Sequence, residues 1–184
     1  MILLIDNYDS FVFNVKQYVE DISGQDVYTV RNDSITLGDI QKLRPSGIIL
    51  SPGPKHPKDS NICLDILKNI SDTPVLGICL GHQAVGYSHS GKIARLNIPV
   101  HGKISNIHII KKEKLFKNIP DNFSVMRYHS LYISENSFPK ELEVLARTDD
   151  NIIMAVKHKT KEIYGIQFHP ESYFTNYGKE ILKN

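Results

Sequence analysis

An open, mostly parallel α/β sheet with helices on both faces is the architecture this sequence predicts, carrying an antiparallel extension in its second half. Three observations support that reading. Short, continuously apolar segments recur early, at 2–5, 47–50 and 75–78. Helical periodicity fills the gaps between them. After about residue 100, strand-like segments follow one another with few helices between.

The elements follow in order. Residues 2–5 form a strand. Asp9 or Ser10 caps a helix whose apolar side is Phe11, Val12, Val15, Tyr18 and Val19, and Gly24 ends it. A second strand covers 27–30, and Thr36 caps a short helix through Leu43. The third strand, 47–50, is wholly apolar. Ser60 opens a helix through Ile70, 75–78 is the fourth strand, and a helix runs from about Gly81. Strands are then expected at 103–110, 123–127, 142–147, 152–157 and 163–168, and a last short helix from Thr175 or Asn176. No repeat, low-complexity stretch or linker interrupts the 184 residues, so 1–184 reads as one domain.

Composition narrows the function. Twenty-two Lys and Arg stand against 20 Asp and Glu, a net charge of +2, too small to argue for nucleic acid or a membrane surface. Two cysteines, Cys63 and Cys79, give no disulfide framework and fit a reducing, cytoplasmic setting. The apolar opening reaches an acid at Asp6, which makes it a buried strand and not a leader or a span. No H-E-x-x-H arrangement and no Cys/His cluster with zinc spacing occurs, so no metal site is expected.

In parallel sheets, ligands bind beyond the carboxyl ends of the strands. Three segments fall there: Ser51-Pro-Gly-Pro54, Cys79-Leu80-Gly81 and His169-Pro-Glu171. Gly77-Ile-Cys-Leu-Gly81 has the spacing of a nucleophile elbow with cysteine as the nucleophile. The flanking glycines let neighbouring backbone pass close to the turn, and the helix N-terminus behind it favours a thiolate. Cys63, on an apolar helix face, reads as a small core residue. A thiol nucleophile wants an imidazole and a group that orients it. Of eight histidines, only His169 follows a strand with a carboxylate two residues on. Extended backbone sends His169 and Glu171 to one side, and Pro170 favours that conformation. His56, His89, His108 and His158 read as surface residues.

An acyl-transfer intermediate needs two donors for its oxyanion. The Leu80 N–H is the first candidate. Gly53, in a loop stiffened by Pro52 and Pro54, is the second. Gln83, one turn past Cys79, is placed to bond the polar end of a small substrate.

These segments resemble the class I glutamine amidotransferases, in the branch formed by the small subunits of anthranilate synthase and aminodeoxychorismate synthase. The matching pieces are Leu4-Ile-Asp-Asn-Tyr-Asp-Ser-Phe11, Leu50-Ser-Pro-Gly-Pro54, Gly77-Ile-Cys-Leu-Gly-His-Gln83, His101-Gly-Lys103, Arg127-Tyr-His-Ser-Leu131 and Gly165-Ile-Gln-Phe-His-Pro-Glu-Ser172, in order along the chain. The resemblance implies a Cys79–His169–Glu171 triad that hydrolyses L-glutamine. It implies glutamine contacts from Pro52, Gly53, Pro54, Leu80 and Gln83, and from Ser130 and Leu131, the last two mainly through backbone. It implies no cofactor in this chain, and a chorismate-binding partner subunit that holds Mg²⁺, in a heterodimer or heterotetramer. His101-Gly-Lys103 and Asn7-Tyr-Asp-Ser10 would face that partner. Two segments depart from the family pattern: Lys55 replaces a small residue, and Ser88-His-Ser90 a more apolar, glycine-rich stretch. The rival readings are a glutaminase of another branch, such as that of GMP or carbamoyl phosphate synthesis, an unrelated cysteine hydrolase on a similar sheet, and an inactive partner-binding scaffold.

Overall fold

The computed structural model describes residues 1–184. All nine strands join one sheet, ordered β2-β1-β3-β4-β9-β8-β7-β5-β6. The first five of that order are parallel: β2 (Val27–Arg31), β1 (Ile2–Asp6), β3 (Gly47–Leu50), β4 (Val75–Ile78) and β9 (Ile163–Ile166). The other four run antiparallel to their neighbours: β8 (Ile153–His158), β7 (Leu142–Thr148), β5 (Ile93–Ile109) and β6 (Asn122–Ile133). The predicted architecture is the one observed. No helix is long and apolar enough to cross a membrane.

Side-chain alternation along the strands builds two cores. Leu3, Ile5, Ile48 and Leu50 join Ile40 of α2 (Leu37–Leu43), Ile66 of α3 (Ile62–Asn69) and Val85 of α4 (Leu80–Ser88). Leu4, Ile49 and Ile78 join Val12, Val15 and Val19 of α1 (Val12–Ser23) and Ile181 of α5 (Gly178–Lys183). Strands flanked by helices on both faces are therefore apolar throughout, which is why they were legible.

Local chemistry moves several boundaries. Thr36 caps α2 in a full capping box with Asp39. Asp9 accepts from the Phe11 N–H, but Phe11 itself occupies the N-cap of α1. The Ser60 hydroxyl donates to the Pro57 carbonyl, and α3 starts two residues later than expected. Thr175 does not cap the last helix. Its hydroxyl donates to the His169 carbonyl and accepts from the Met126 N–H, and α5 starts at Gly178. β5 and β6 extend far beyond the expected 103–110 and 123–127, forming a long ribbon with register shifts between Arg95 and Val100 and between His101 and Lys103.

Two glycines fix the junction of β4 and α4. A β-carbon on Gly81 would collide with the Leu50 carbonyl oxygen, and one on Gly77 with the Gly81 carbonyl. Backbone cannot yield as a flexible side chain can. Replacing Gly81 with alanine is expected to cost about 3 kcal/mol of unfolding free energy, because overpacking forces the backbone apart. Gly38→Ala, with no atom nearer than 3.8 Å to the added carbon, should stabilise α2 by about 0.5–1 kcal/mol. Urea titrations of both variants decide the matter. A Gly81→Ala chain as stable as the native one would contradict this packing.

Candidate active site

The strand order brings the three expected segments together. β3, β4 and β9 are adjacent. Their carboxyl ends lead into residues 51–54, Cys79 and residues 167–171.

Cys79 sits at the N-cap of α4 with φ 51° and ψ −97°, outside the conformations an L-residue prefers. Such a backbone costs about 1–3 kcal/mol and persists only where its surroundings impose it. Here the Gly77–Gly81–Leu50 contacts do so. Its N–H donates to the Ile166 carbonyl at 2.8 Å, and its carbonyl accepts from Gln83 N–H at 3.0 Å. The side chain is buried, 5% exposed.

His169 follows β9. Its N–H donates to the Met126 carbonyl at 3.1 Å, its carbonyl accepts from Thr175, and the Tyr128 ring meets it edge-on at 5.1 Å. Nδ1 lies 2.6 Å from Glu171 Oε1. An ionised carboxylate only accepts, so Nδ1 carries the proton and Nε2 is left without a partner. Burial pushes the imidazole pKa down. The Cys79 thiol and Glu171 outweigh it, and the ring titrates well above the usual histidine value. The sulfur thus raises the ring's pKa although Nε2 has no formed hydrogen bond.

Gly53 is pressed against this elbow: a β-carbon there would lie 2.5 Å from the Asn7 carbonyl oxygen and 3.0 Å from Leu80 Cδ2. Neither the Gly53 nor the Leu80 N–H donates to another backbone group. Pro52 is buried and Pro54 exposed. Gln83, one turn into α4, is buried and donates through Nε2 to the Leu131 carbonyl at 2.8 Å and to Gln167 Oε1 at 3.2 Å. Leu131 and Ser130 lie half-buried in β6. All ten expected site residues therefore lie on the elbow or on the strands and loops around it. Beside the imidazole a cleft of about 380 Å³ opens, lined by Phe11, Tyr128, His169, Glu171, Tyr173 and Phe174 among others. A more apolar groove of about 330 Å³ holds Ile2, Gly47 and Val75, at the opposite ends of the strands and away from these residues.

A model of the family described as glutamine amidotransferase class-I matches residues 3–184. The chain belongs to that family. An anthranilate synthase component 2 from Pyropia yezoensis is 49% identical over all of this chain and 97% of its own length. The chloroplastic anthranilate synthase beta subunit 2 of Oryza sativa subsp. japonica is 45% identical, covering all of this chain and 69% of its own. A solved Thermoplasma acidophilum protein, described as belonging to a GMP synthase, superposes with a TM-score of 0.84 at 26% identity, over 99% of this chain and 89% of that one. This amidotransferase shares its fold with the GMP synthase protein and 45–49% of its sequence with these two anthranilate synthase subunits.

Several expectations need correction or completion. His158 is not a surface residue. It is buried, and its Nδ1 accepts from the Thr160 and Lys161 N–H groups, closing the turn between β8 and β9. In the 7–10 segment, Asn7 is buried and ties to Ser51, Asn32 and Cys63, while Tyr8 is exposed. Cys63 is fully buried, and burial pushes its thiol up to about 12. Lys55 is exposed with φ 73°, so its side chain meets solvent. Gln167, fully buried with Nε2 at 3.7 Å from Cys79 Sγ, went unnoticed in the sequence. The signal was its period-two spacing with His169 and Glu171.

Two more histidines are buried near the site. Burial pulls His82 down to about 3, and burial with the Arg127 charge pulls His129 to about 4. Both stay neutral in the fold, so each contributes stability above about pH 6.5 that is lost as pH falls, at about 1.4 kcal/mol per pH unit. His169 has the opposite sign: its contribution is full below about pH 6.5 and fades as pH rises through its raised value. His82 has no hydrogen-bond partner at either ring nitrogen. His82→Leu should therefore reduce the fall in unfolding free energy between pH 7 and pH 5 by about 2 kcal/mol. Equal falls in the variant and the native chain, measured by urea titration at both pH values, would refute the assignment.

Proposed function

We propose that this amidotransferase hydrolyses L-glutamine through a Cys79 thioester and supplies the ammonia to a chorismate-using synthase subunit, for anthranilate synthesis. The observation that carries the reading is the convergence of an elbow thiol, an oriented imidazole and two uncommitted N–H groups at neighbouring strand ends.

The chemistry follows from the atoms. The Cys79 thiolate adds to the side-chain amide carbon of glutamine, and the amide oxygen gains the negative charge. The N–H groups of Gly53 and Leu80, fixed in backbone, receive that charge without rearranging. His169, raised toward its imidazolium form, gives its Nε2 proton to the departing nitrogen, the C–N bond breaks, and ammonia leaves. Glu171 keeps the proton on Nδ1, so Nε2 is the atom that works. Water then attacks the thioester, His169 takes its proton, and glutamate is released with the thiolate restored. Both amide hydrogens of Gln83 are engaged, so its Oε1 is the atom left to accept from the substrate's ammonium. Pro52, Pro54, Ser130 and Leu131 complete the substrate's surroundings. No step calls on a cofactor in this chain.

Ammonia is a nucleophile only while unprotonated, and free water would protonate most of it at neutral pH. That favours direct delivery to a bound partner. The surface beside the site supports one: Phe11, Tyr173 and Phe174 are exposed at 46%, 89% and 55%, and His101 and Lys103 are also exposed. The names of the relatives point to the anthranilate synthase partner, whose subunit would bind chorismate and Mg²⁺. The complex would be a heterodimer or a heterotetramer. Net charge near neutral and two free thiols fit a reducing, cytoplasmic setting without nucleic acid or membrane.

The test is synthesis from chorismate by the complex with its partner, reading both anthranilate and 4-amino-4-deoxychorismate. Cys79→Ala should lower glutamine-dependent synthesis by about 10³-fold or more while leaving ammonia-dependent synthesis intact. Loss of both would mean that Cys79 supports the assembly and not the chemistry.

A further inference from the structure

We infer that Gln167 is a positioning residue that holds the Cys79 sulfur and links it to the substrate contact at Gln83. The inference rests on the glutaminase reading above and adds a role that the triad does not contain.

A chain of hydrogen bonds sets the direction of every amide. Arg127 Nε can only donate, and it donates to His129 Nε2 at 3.0 Å. The proton of His129 is therefore on Nδ1, which lies 2.9 Å from the Leu131 carbonyl. That carbonyl can only accept, so the Gln83 atom 2.8 Å from it is the amide nitrogen. The second Gln83 hydrogen, 3.2 Å from the Gln167 amide, requires oxygen there. The Gln167 nitrogen is left facing Cys79 Sγ at 3.7 Å. The order of donors leaves no freedom to flip either amide without opposing two like groups. Gln167 is fully buried beside Cys79, itself 5% exposed.

The sulfur consequently meets an N–H donor on the side of Gln167 and an imidazole on the side of His169. A donor favours the thiolate over the thiol and fixes the sulfur's rotamer before substrate arrives. Gln83 joins the two events. Its Oε1 receives the substrate, and its Nε2 holds the Gln167 oxygen. Substrate binding that pulls on Gln83 is felt at the sulfur through one amide.

The decisive experiment uses the complex with its partner and two variants: Gln167→Met, close in length but without a donor, and Gln167→Glu, the same shape with an acceptor toward sulfur. Cys79 alkylation by iodoacetamide, located by mass spectrometry, is followed against pH together with kcat and KM for glutamine. The native ionisable groups around the site, His169, Glu171, Asp9, His82, His129 and Arg127, are unchanged in both variants, and Gln167→Glu adds one carboxyl at the varied position itself. In Gln167→Met the pH of half-maximal alkylation should rise by about one unit, the tenfold change in thiolate expected from one hydrogen bond to a charged group. kcat should fall more than KM rises, and Gln167→Glu should shift the profile further. Ammonia-dependent synthesis should persist in both. If the methionine variant does not fold, the glutamate variant decides. An alkylation profile identical to native would overturn the inference, even if turnover falls. Activity that survives Cys79→Ala would instead remove the glutaminase reading, so the two failures are distinct.

Discussion

The contact on which the rest depends is backbone against backbone: Gly81 lying on the Leu50 carbonyl, with Gly77 lying on Gly81. It lets α4 begin directly above the ends of β3 and β4. It also forces the residue between the glycines into a positive φ that cysteine would not otherwise take. The placement of Cys79 follows. Its sulfur stands at a helix N-terminus, over a junction of strand ends, within reach of residues arriving from β9 and β6. The strain is local, and two cores on the sheet's faces sustain it.

Around that fixed point the site is assembled from rigid parts. His169 is tied through its own backbone to β6 and Thr175, and its ring is pinned by Glu171 and Tyr128. Gly53 is pressed against Asn7, which is itself held by Ser51 and Asn32. Gln83 and Gln167 are locked by carbonyl and guanidinium groups whose protonation cannot change. Preorganisation of this kind is what charge stabilisation in a transition state requires, since donors that are already aimed need not move during the reaction.

The first half of the chain was legible because burial on two faces writes strands as unbroken apolar runs. 47–50 and 75–78 matched residue for residue. The β5–β6 ribbon was not. Its residues are mostly exposed or half-buried, and Pro99 and Gly102 look like breakers, yet the ribbon absorbs them at its two register shifts. β6 runs past Arg127 because the polar Arg127 and His129 are buried there, with Arg127 Nε donating to His129 Nε2 and Nη1 to Ser105 Oγ. Thr175 looked like a helix cap, but its hydroxyl bridges β6 and His169 instead. The elbow and the His-Pro-Glu segment were readable from spacing, because their geometry needs particular residues at particular offsets. Gln167 shares the period-two spacing of His169 and Glu171, but its contacts, Cys79 and Gln83, lie 88 and 84 residues away and no local offset names them. His158 misled for a related reason: only the fold shows that it closes a turn.

The central claim is that the elbow aims the Cys79 sulfur at a carbonyl whose oxygen falls between the Gly53 and Leu80 N–H groups. A crystal structure of the chain after reaction with diazo-oxo-norleucine, a glutamine-derived electrophile, tests it directly. The account predicts a covalent adduct on Cys79 Sγ, its oxygen within hydrogen-bond distance of both N–H groups, with His169 Nε2 facing the sulfur. An adduct on another residue, or an oxygen turned away from both donors, would contradict it.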